Sequence, residues 1–133
     1  DQLAALWFIY LQTGKAITPA APGAARLQLA EGLLNQVKAM PHQEQLQFMR
    51  HLVEKVNTPE TRAYGVLSAN TKLAFWYRLA QWMEDGTVIP MPYGYRMSEA
   101  GSQVVAKIEW LEFNQQITIL RRIVVDMGVD PLA

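Results

Sequence analysis

The sequence predicts an all-α protein, and three observations support this. Apolar residues recur with helical spacing in most segments, Pro and Gly separate those segments, and the alternating patterns typical of strands do not persist. The 133 residues correspond to one ordinary domain, and 50% of them are hydrophobic, so a buried core can form. We therefore expect a single helical domain over residues 1–133.

The first helix is indicated by Leu3, Leu6, Trp7 and Tyr10, which are spaced to share one helical face, and Gly14 is its expected stop. The linker at 18–23 contains two prolines, which exclude a continuing helix. A second helix is expected from about residue 24 to 39, before Pro41, with Leu27, Ala30, Leu34 and Val37 inward. A third is expected from about 43 to 56, with an inward side of Leu46, Met49, Leu52, Val53 and Val56.

Thr58 and Pro59 read as an N-cap followed by proline at the first position of a short fourth helix. A break at 65–69 precedes a fifth helix, expected from about 70 to 85 and ending at Gly86. Residues 88–95 contain Pro90, Pro92 and Gly94 and cannot be helical, yet they are apolar and aromatic. We expect this loop to lie against something buried.

Ser98 opens a sixth helix that we expect to continue to about Glu112. The last helix is expected from about residue 114 to 127, with Gly128 as its stop. Its apolar side consists of Ile117, Leu120, Val124 and Met127, and Arg121 falls next to that side. An arginine there either reaches out to solvent, which is the default, or places a cation at the mouth of a pocket.

Composition excludes several classes of function. Twelve basic residues balance twelve acidic ones, so the chain has no general attraction for nucleic acid or anionic lipid. The absence of cysteine removes thiol nucleophiles, zinc–thiolate sites and iron–sulfur clusters. His42 and His51 are nine apart, off a common helix face, and we interpret them as exposed polar residues. We therefore do not expect an enzyme.

The N-terminal apolar run, Leu3 to Leu11, is too short to span a bilayer, and no signal-peptide pattern precedes it. We expect a protein without a transmembrane segment. Since the sequence begins at Asp1 inside an apparent helix, we also expect residues before it.

A stripe of large apolar side chains on the fifth helix is the strongest candidate for a binding surface. It consists of Leu73, Trp76, Tyr77, Ala80 and Met83, and extends roughly 15 Å at about 1.5 Å per residue. Rings and thioethers suit a long, flat, apolar ligand. The alternative is that the stripe forms ordinary core, which for any single stripe is the favoured interpretation. Two details weigh against it: Trp and Tyr carry polar atoms that need partners, and small Ala80 lies among large neighbours.

At these residues the sequence resembles the N-terminal domain of the cyanobacterial orange carotenoid protein family. The resemblance covers essentially the whole chain, in order, and rests on the segments 20–25 (AAPGAA), 73–79 (LAFWYRL), 115–118 (QQIT) and 124–128 (VVDMG). The chain ends just past that domain, so it is most similar to the helical carotenoid proteins, stand-alone homologues of this domain. An excised domain of a two-domain protein is the close alternative.

The resemblance implies two interleaved helical bundles that hold one keto-carotenoid non-covalently, such as canthaxanthin or echinenone. It implies photoprotection by quenching of singlet oxygen or of excited phycobilisome pigments. The implied location is cytoplasmic, associated with thylakoid-bound phycobilisomes. The implied partners are the phycobilisome or a separately encoded carotenoid carrier similar to the C-terminal domain. The competing hypothesis is a pigment-free helical interaction module.

The resemblance also implies a set of pigment-lining residues, among which Trp76 and Tyr10 match rings that stack around one end of the pigment. Arg121 matches an arginine that pairs with the other domain in two-domain members. The implied lining is Leu3, Leu6, Trp7, Tyr10, Leu46, Met49, Asn70, Leu73, Trp76, Tyr77, Ala80, Met83, Met91, Tyr95, Ile117, Arg121 and Val124.

Three departures from the two-domain pattern limit what the resemblance implies. Ala80 stands where glycine is common, which would narrow the tunnel, and Met91 stands where a branched aliphatic is common. No C-terminal domain follows in this sequence, so the residues that hold the pigment's keto group there have no counterpart. We therefore expect no light-driven domain separation in this chain alone, and one end of the pigment nearer to solvent.

Overall fold

A computed structural model describes residues 30–91 and 98–130, without the side chain of Phe113. These residues form helices and no strand, which confirms the all-α prediction. The helices are α1 (Glu31–Ala39), α2 (His42–Glu54), α3 (Pro59–Gly65), α4 (Ala69–Asp85), α5 (Glu99–Glu109) and α6 (Phe113–Asp126). The predicted first helix, the linker at 18–23, the predicted start of the second helix and residues 92–95 of the apolar loop lie outside the described residues.

Several helix ends follow from the capping residues that the sequence indicates. The Thr58 side chain accepts from the Thr61 backbone N–H at 3.0 Å, and the Thr61 hydroxyl accepts from the Thr58 N–H at 2.8 Å, which fixes the start of α3. The Ser98 hydroxyl accepts from the Gly101 N–H at 3.1 Å at the start of α5. Gly86 has a φ of 85° and ends α4 as predicted.

The junction between α5 and α6 differs from the prediction. Helix α5 ends at Glu109, three residues before the predicted Glu112. The reason is that Glu112 adopts an extended backbone and caps α6, where its N–H donates to the Gln115 side chain at 3.1 Å. A residue that begins one helix in this way cannot also continue the preceding one. The turn leaves Trp110 90% exposed.

The inward face of α2 is also rotated from its predicted position. Val56 was predicted to point inward, but it lies beyond the end of α2 and is exposed. Lys55, just before it, has a φ of 58° and redirects the chain. Leu46 and Val53 are only half-buried. The buried residues of α2 are Gln45, Phe48, Met49 and Leu52.

One hydrophobic cluster joins α1, α2, α3, α4, α5 and α6. Helix α4 packs most extensively against α6, and the short α3 packs against both α1 and α2. After α6 the chain turns at Gly128, whose N–H donates to the Leu52 carbonyl of α2 at 2.9 Å. The next residue, Val129, donates to the Thr61 carbonyl of α3 at 3.3 Å. The segment that follows α6 is thus fastened to two other helices. None of the described helices is long and apolar enough to cross a membrane.

Candidate functional site

Helix α4 buries two faces that differ in how completely they are covered. The first, which we call the closed face, consists of Thr71, Phe75 and Leu79, each at most 1% exposed. The second is the predicted stripe. Its members Leu73, Trp76, Ala80 and Met83 retain between 4% and 9% exposure, and Tyr77 is only half-buried. At 100° per residue, the centres of these two faces lie on different sides of the helix. The stripe is therefore the more accessible of the two apolar faces.

Phe75 is the centre of the closed face and holds the aromatic core together. Its ring meets Tyr64, Trp76 and Phe48 edge to face, at centroid distances of 5.4, 6.2 and 6.3 Å. Such edge-to-face pairs add stability beyond their buried area. Tyr64 belongs to α3 and Phe48 to α2, so this one side chain joins three helices. Its role is structural, and the sequence pattern did not single it out.

The polar atom of Trp76 is satisfied inside the protein. Its indole N–H donates to the Tyr64 hydroxyl at 3.0 Å, and this hydroxyl donates to the Val124 carbonyl of α6 at 2.5 Å. The need of Trp76 for a partner, which the sequence raised as an argument for a ligand, is thus met by Tyr64. With its N–H engaged, Trp76 offers only apolar ring surface to a further neighbour.

The surroundings of Tyr64 hold its ring in place. The Lys72 ammonium of α4 lies 5.3 Å from the centroid of the Tyr64 ring, a cation–π contact. Burial lowers the pKa of Lys72, and the carboxylate of Asp130 acts in the opposite direction. Burial raises the pKa of Tyr64 far above its usual value, although the hydrogen bond from Trp76 acts in the opposite direction. Tyr64 therefore keeps its proton and remains a donor to Val124.

The remaining members of the predicted lining fall into distinct groups. Met49 and Val124 are buried in the same cluster as Leu73, Trp76, Ala80 and Met83, and Tyr77 and Ile117 pack against it. Leu46, Asn70 and Met91 are half-buried, and Arg121 is exposed on α6. The other five lie outside the described residues: Leu3, Leu6, Trp7, Tyr10 and Tyr95. For all of them, contact with a pigment stays a prediction.

Gln45 anchors the loop that begins after α4, a role that was not predicted from the sequence. Its amide nitrogen donates to the Val37 and Thr87 carbonyls at 2.9 and 3.2 Å, and its oxygen accepts from the Ile89 N–H at 2.8 Å. Val88, between these two loop residues, is fully buried, as expected for this apolar loop. A signal was present, since Gln45 shares helical spacing with Phe48, Met49 and Leu52. A glutamine on an apolar face indicates a buried hydrogen-bonding role.

The described residues offer little to metal chemistry. Residues 30–91 and 98–130 contain no group of three or more His, Cys, Asp and Glu side chains that could hold a metal ion. His42 is exposed and its ring nitrogen lies 3.2 Å from the Gly86 carbonyl, while half-buried His51 lies 2.7 Å from the Gln47 amide nitrogen.

Comparison with known proteins identifies what this arrangement is similar to. The family model described as "Orange carotenoid protein, N-terminal" matches residues 1–130. An orange carotenoid-binding domain-containing protein of Nostoc sp. strain PCC 7120 is 62% identical over 133 residues, which are 100% of this chain and 78% of the relative.

Two solved structures from Anabaena (Nostoc) sp. PCC 7120 share the fold. Its orange carotenoid protein binding canthaxanthin has a TM-score of 0.88 and 50% identity, and the match covers 98% of this chain and 42% of that protein. Its red carotenoid protein binding canthaxanthin has a TM-score of 0.83 and 41% identity, and the match covers 96% of this chain and 86% of that protein. The chain thus spans about two fifths of the larger protein. These matches confirm the resemblance seen in the sequence, and the chain belongs to the family of the orange carotenoid protein N-terminal domain.

Proposed function

We propose that this chain binds one keto-carotenoid, such as canthaxanthin or echinenone, non-covalently and along the stripe of α4. The stripe would form one wall of the site, and Met49 and Val124 would extend it from α2 and α6. The family and the canthaxanthin-bound relatives support this ligand class.

The observation that carries the proposal is the contrast between the two faces of α4. The closed face is completely covered by the protein's own side chains, whereas the stripe keeps some exposure along Leu73, Trp76, Ala80 and Met83. The indole N–H of Trp76, the one tryptophan of the stripe, already donates to the Tyr64 hydroxyl. The polyene chain of a carotenoid has no hydrogen-bonding atoms, so it fits a wall whose tryptophan N–H is bonded within the protein.

The binding energy required of such a site is available from apolar burial alone. Removing several hundred Å² of polyene from water at about 25 cal/mol per Å² gives on the order of 10 kcal/mol before entropic costs. No hydrogen bond to the pigment is required. The residues of the stripe would therefore act by shape and apolar contact, and would keep the polyene extended.

The physiological role that we propose is photoprotection. A bound carotenoid would accept energy from singlet oxygen or from an excited antenna pigment and release it as heat. The protein's own residues would hold the pigment, exclude water from it and set its orientation. The proposed partners are the carotenoid, the phycobilisome and a separately encoded carrier similar to the C-terminal domain of the larger relatives. The proposed location is the cytoplasm, at thylakoid-bound phycobilisomes.

The test is expression of the chain in a host that makes canthaxanthin. We expect purified protein that absorbs blue-green light and yields about one extracted carotenoid per chain. Singlet oxygen quenching is then measured for the loaded protein and for the same protein without pigment. Folded, colourless protein from the same host would contradict the proposal and favour the pigment-free interaction module.

A further inference from the structure

We propose that Tyr64 is a positioning residue for the pigment site: it fixes the indole of Trp76 and couples it to the chain segment 124–130. This inference rests on the proposed function, because Trp76 is a member of the stripe that would contact the carotenoid. Tyr64 itself belongs to α3 and is fully buried. It acts through Trp76.

A hydrogen bond joins the side chains of Tyr64 and Trp76. The Trp76 N–H donates to the Tyr64 hydroxyl at 3.0 Å, and Trp76 is 4% exposed. A buried N–H that has a single acceptor stays bonded to it, because a buried N–H without an acceptor costs the full free energy of its desolvation. The bond joins the edge of the indole to α3, and it restricts rotation of the ring about its side-chain torsions. The position of Tyr64 therefore sets the orientation of the Trp76 ring.

Tyr64 also donates to α6, at a carbonyl near the end of that helix. Helix α6 ends at Asp126, and Val124 lies in its last turn, where carbonyls lose their helical partners. The N–H of Gly128, four residues after Val124, donates instead to the Leu52 carbonyl at 2.9 Å. The Tyr64 hydroxyl supplies the donor that the Val124 carbonyl lacks. The end of α6 and the indole of Trp76 thus share a single hydroxyl.

The ring of Tyr64 is held in place by neighbours on several sides. A Cβ added at Gly128 would lie 2.6 Å from the Cδ1 atom of Tyr64, so the backbone after α6 touches the ring directly. The Phe75 ring lies edge-on at 5.4 Å, and the Lys72 ammonium lies 5.3 Å from the ring centroid. A displacement of the segment 124–130 would therefore move Tyr64, and with it Trp76. The colour of the bound pigment would therefore depend on this segment, of which only Val124 belongs to the proposed lining.

The experiment compares Tyr64→Phe with Thr61→Val in protein loaded with canthaxanthin. Tyr64→Phe removes only the shared hydroxyl. Thr61→Val removes a buried hydroxyl from the same helix, one that accepts from the Thr58 N–H at the start of α3 and donates to the Val56 carbonyl instead of bonding to Trp76. For Tyr64→Phe we expect a shifted pigment absorption band and an altered visible circular dichroism. We also expect pigment loss about fivefold faster, the effect of one hydrogen bond. Thr61→Val lowers the midpoint of thermal unfolding without shifting the band.

Two results would overturn the inference: a Tyr64→Phe protein with the wild-type band and pigment loss rate, or equal band shifts in both variants. A second measurement covers the case in which Tyr64→Phe does not fold. In the wild-type protein, proton NMR in D₂O measures exchange of the Trp76 indole N–H, and slow exchange is expected. Rapid exchange would remove the hydrogen bond on which the inference stands. Wild-type protein without carotenoid would contradict the proposed function instead, so the two failures are distinguishable.

Discussion

The two apolar faces of α4 are built from similar residues but are covered differently. Phe75 and Leu79 of the closed face are fully buried, while the large side chains of the stripe keep a small exposed fraction along the helix. Both faces contain an aromatic ring, so aromatic content does not distinguish a core from a ligand site. What differs between the faces is how much of each ring stays exposed: none of Phe75, 4% of Trp76, and more of the half-buried Tyr77.

The largest effect is expected from truncating the closed face. Phe75→Ala should lower the free energy of unfolding by about 4 kcal/mol, because it removes a fully buried ring that contacts Tyr64, Trp76 and Phe48. Guanidinium unfolding followed by circular dichroism measures this. The control Val66→Ala, at a 66% exposed position, should change stability by less than about 0.5 kcal/mol. A small effect of Phe75→Ala would show that the closed face is not the core.

A glycine pair tests how firmly the segment after α6 is packed on Tyr64. Gly128 and Gly86 have φ values of 77° and 85°, so alanine is strained at both. A Cβ at Gly86 would meet nothing within 4 Å, whereas one at Gly128 would press on the Tyr64 ring. Gly128→Ala should therefore destabilise by about 2 kcal/mol more than Gly86→Ala in thermal unfolding. Equal losses would contradict the contact between this segment and Tyr64.

A matched alanine pair on α4 tests which face receives the pigment. Ala80 belongs to the stripe, while Ala74 lies on neither face and is half-buried. Ala80→Leu adds volume where the pigment would lie, and we expect pigment affinity to fall about tenfold, equivalent to about 1.4 kcal/mol. Ala74→Leu should leave it unchanged. Both are measured as carotenoid per folded chain after purification, and equal retention would count against the stripe as a lining.

The smallest effect is expected at the turn between α5 and α6. Trp110 is 90% exposed, so Trp110→Ala should change the free energy of unfolding by less than about 0.5 kcal/mol and leave pigment content unchanged. Denaturant unfolding and pigment extraction measure the two quantities. A loss of pigment in this variant would show that the site extends to the turn between α5 and α6.

Much of the fold could be predicted from the sequence because its signals are local. The cap at Thr58, the stop at Gly86 and the helix that carries the stripe depend on residues a few positions apart, and each of these predictions agrees with the structure. Val56 was wrongly predicted to point inward because the helix ends before it, at Lys55, in a left-handed conformation that lysine seldom adopts. Periodicity alone does not reveal such an end.

The contacts around Trp76 could not be predicted for a different reason. The partner of its indole, Tyr64, lies twelve residues earlier, and the acceptor on Val124 lies sixty residues after Tyr64. Such pairings depend on how helices pack, which helical spacing does not determine. Gln45 is similar, since it reaches Thr87 and Ile89 across more than forty residues. The sequence indicated that Trp76 needs a partner but did not say which.

The most direct test of the account is NMR of the canthaxanthin-loaded protein, with methyl groups labelled on Met83, Leu73 and Leu79. Met83 and Leu73 belong to the stripe, and Leu79 lies on the closed face of the same helix. We predict nuclear Overhauser contacts from pigment protons to the Met83 and Leu73 methyls and none to Leu79. Contacts to the Leu79 methyls, or bound pigment that contacts neither Met83 nor Leu73, would contradict the account.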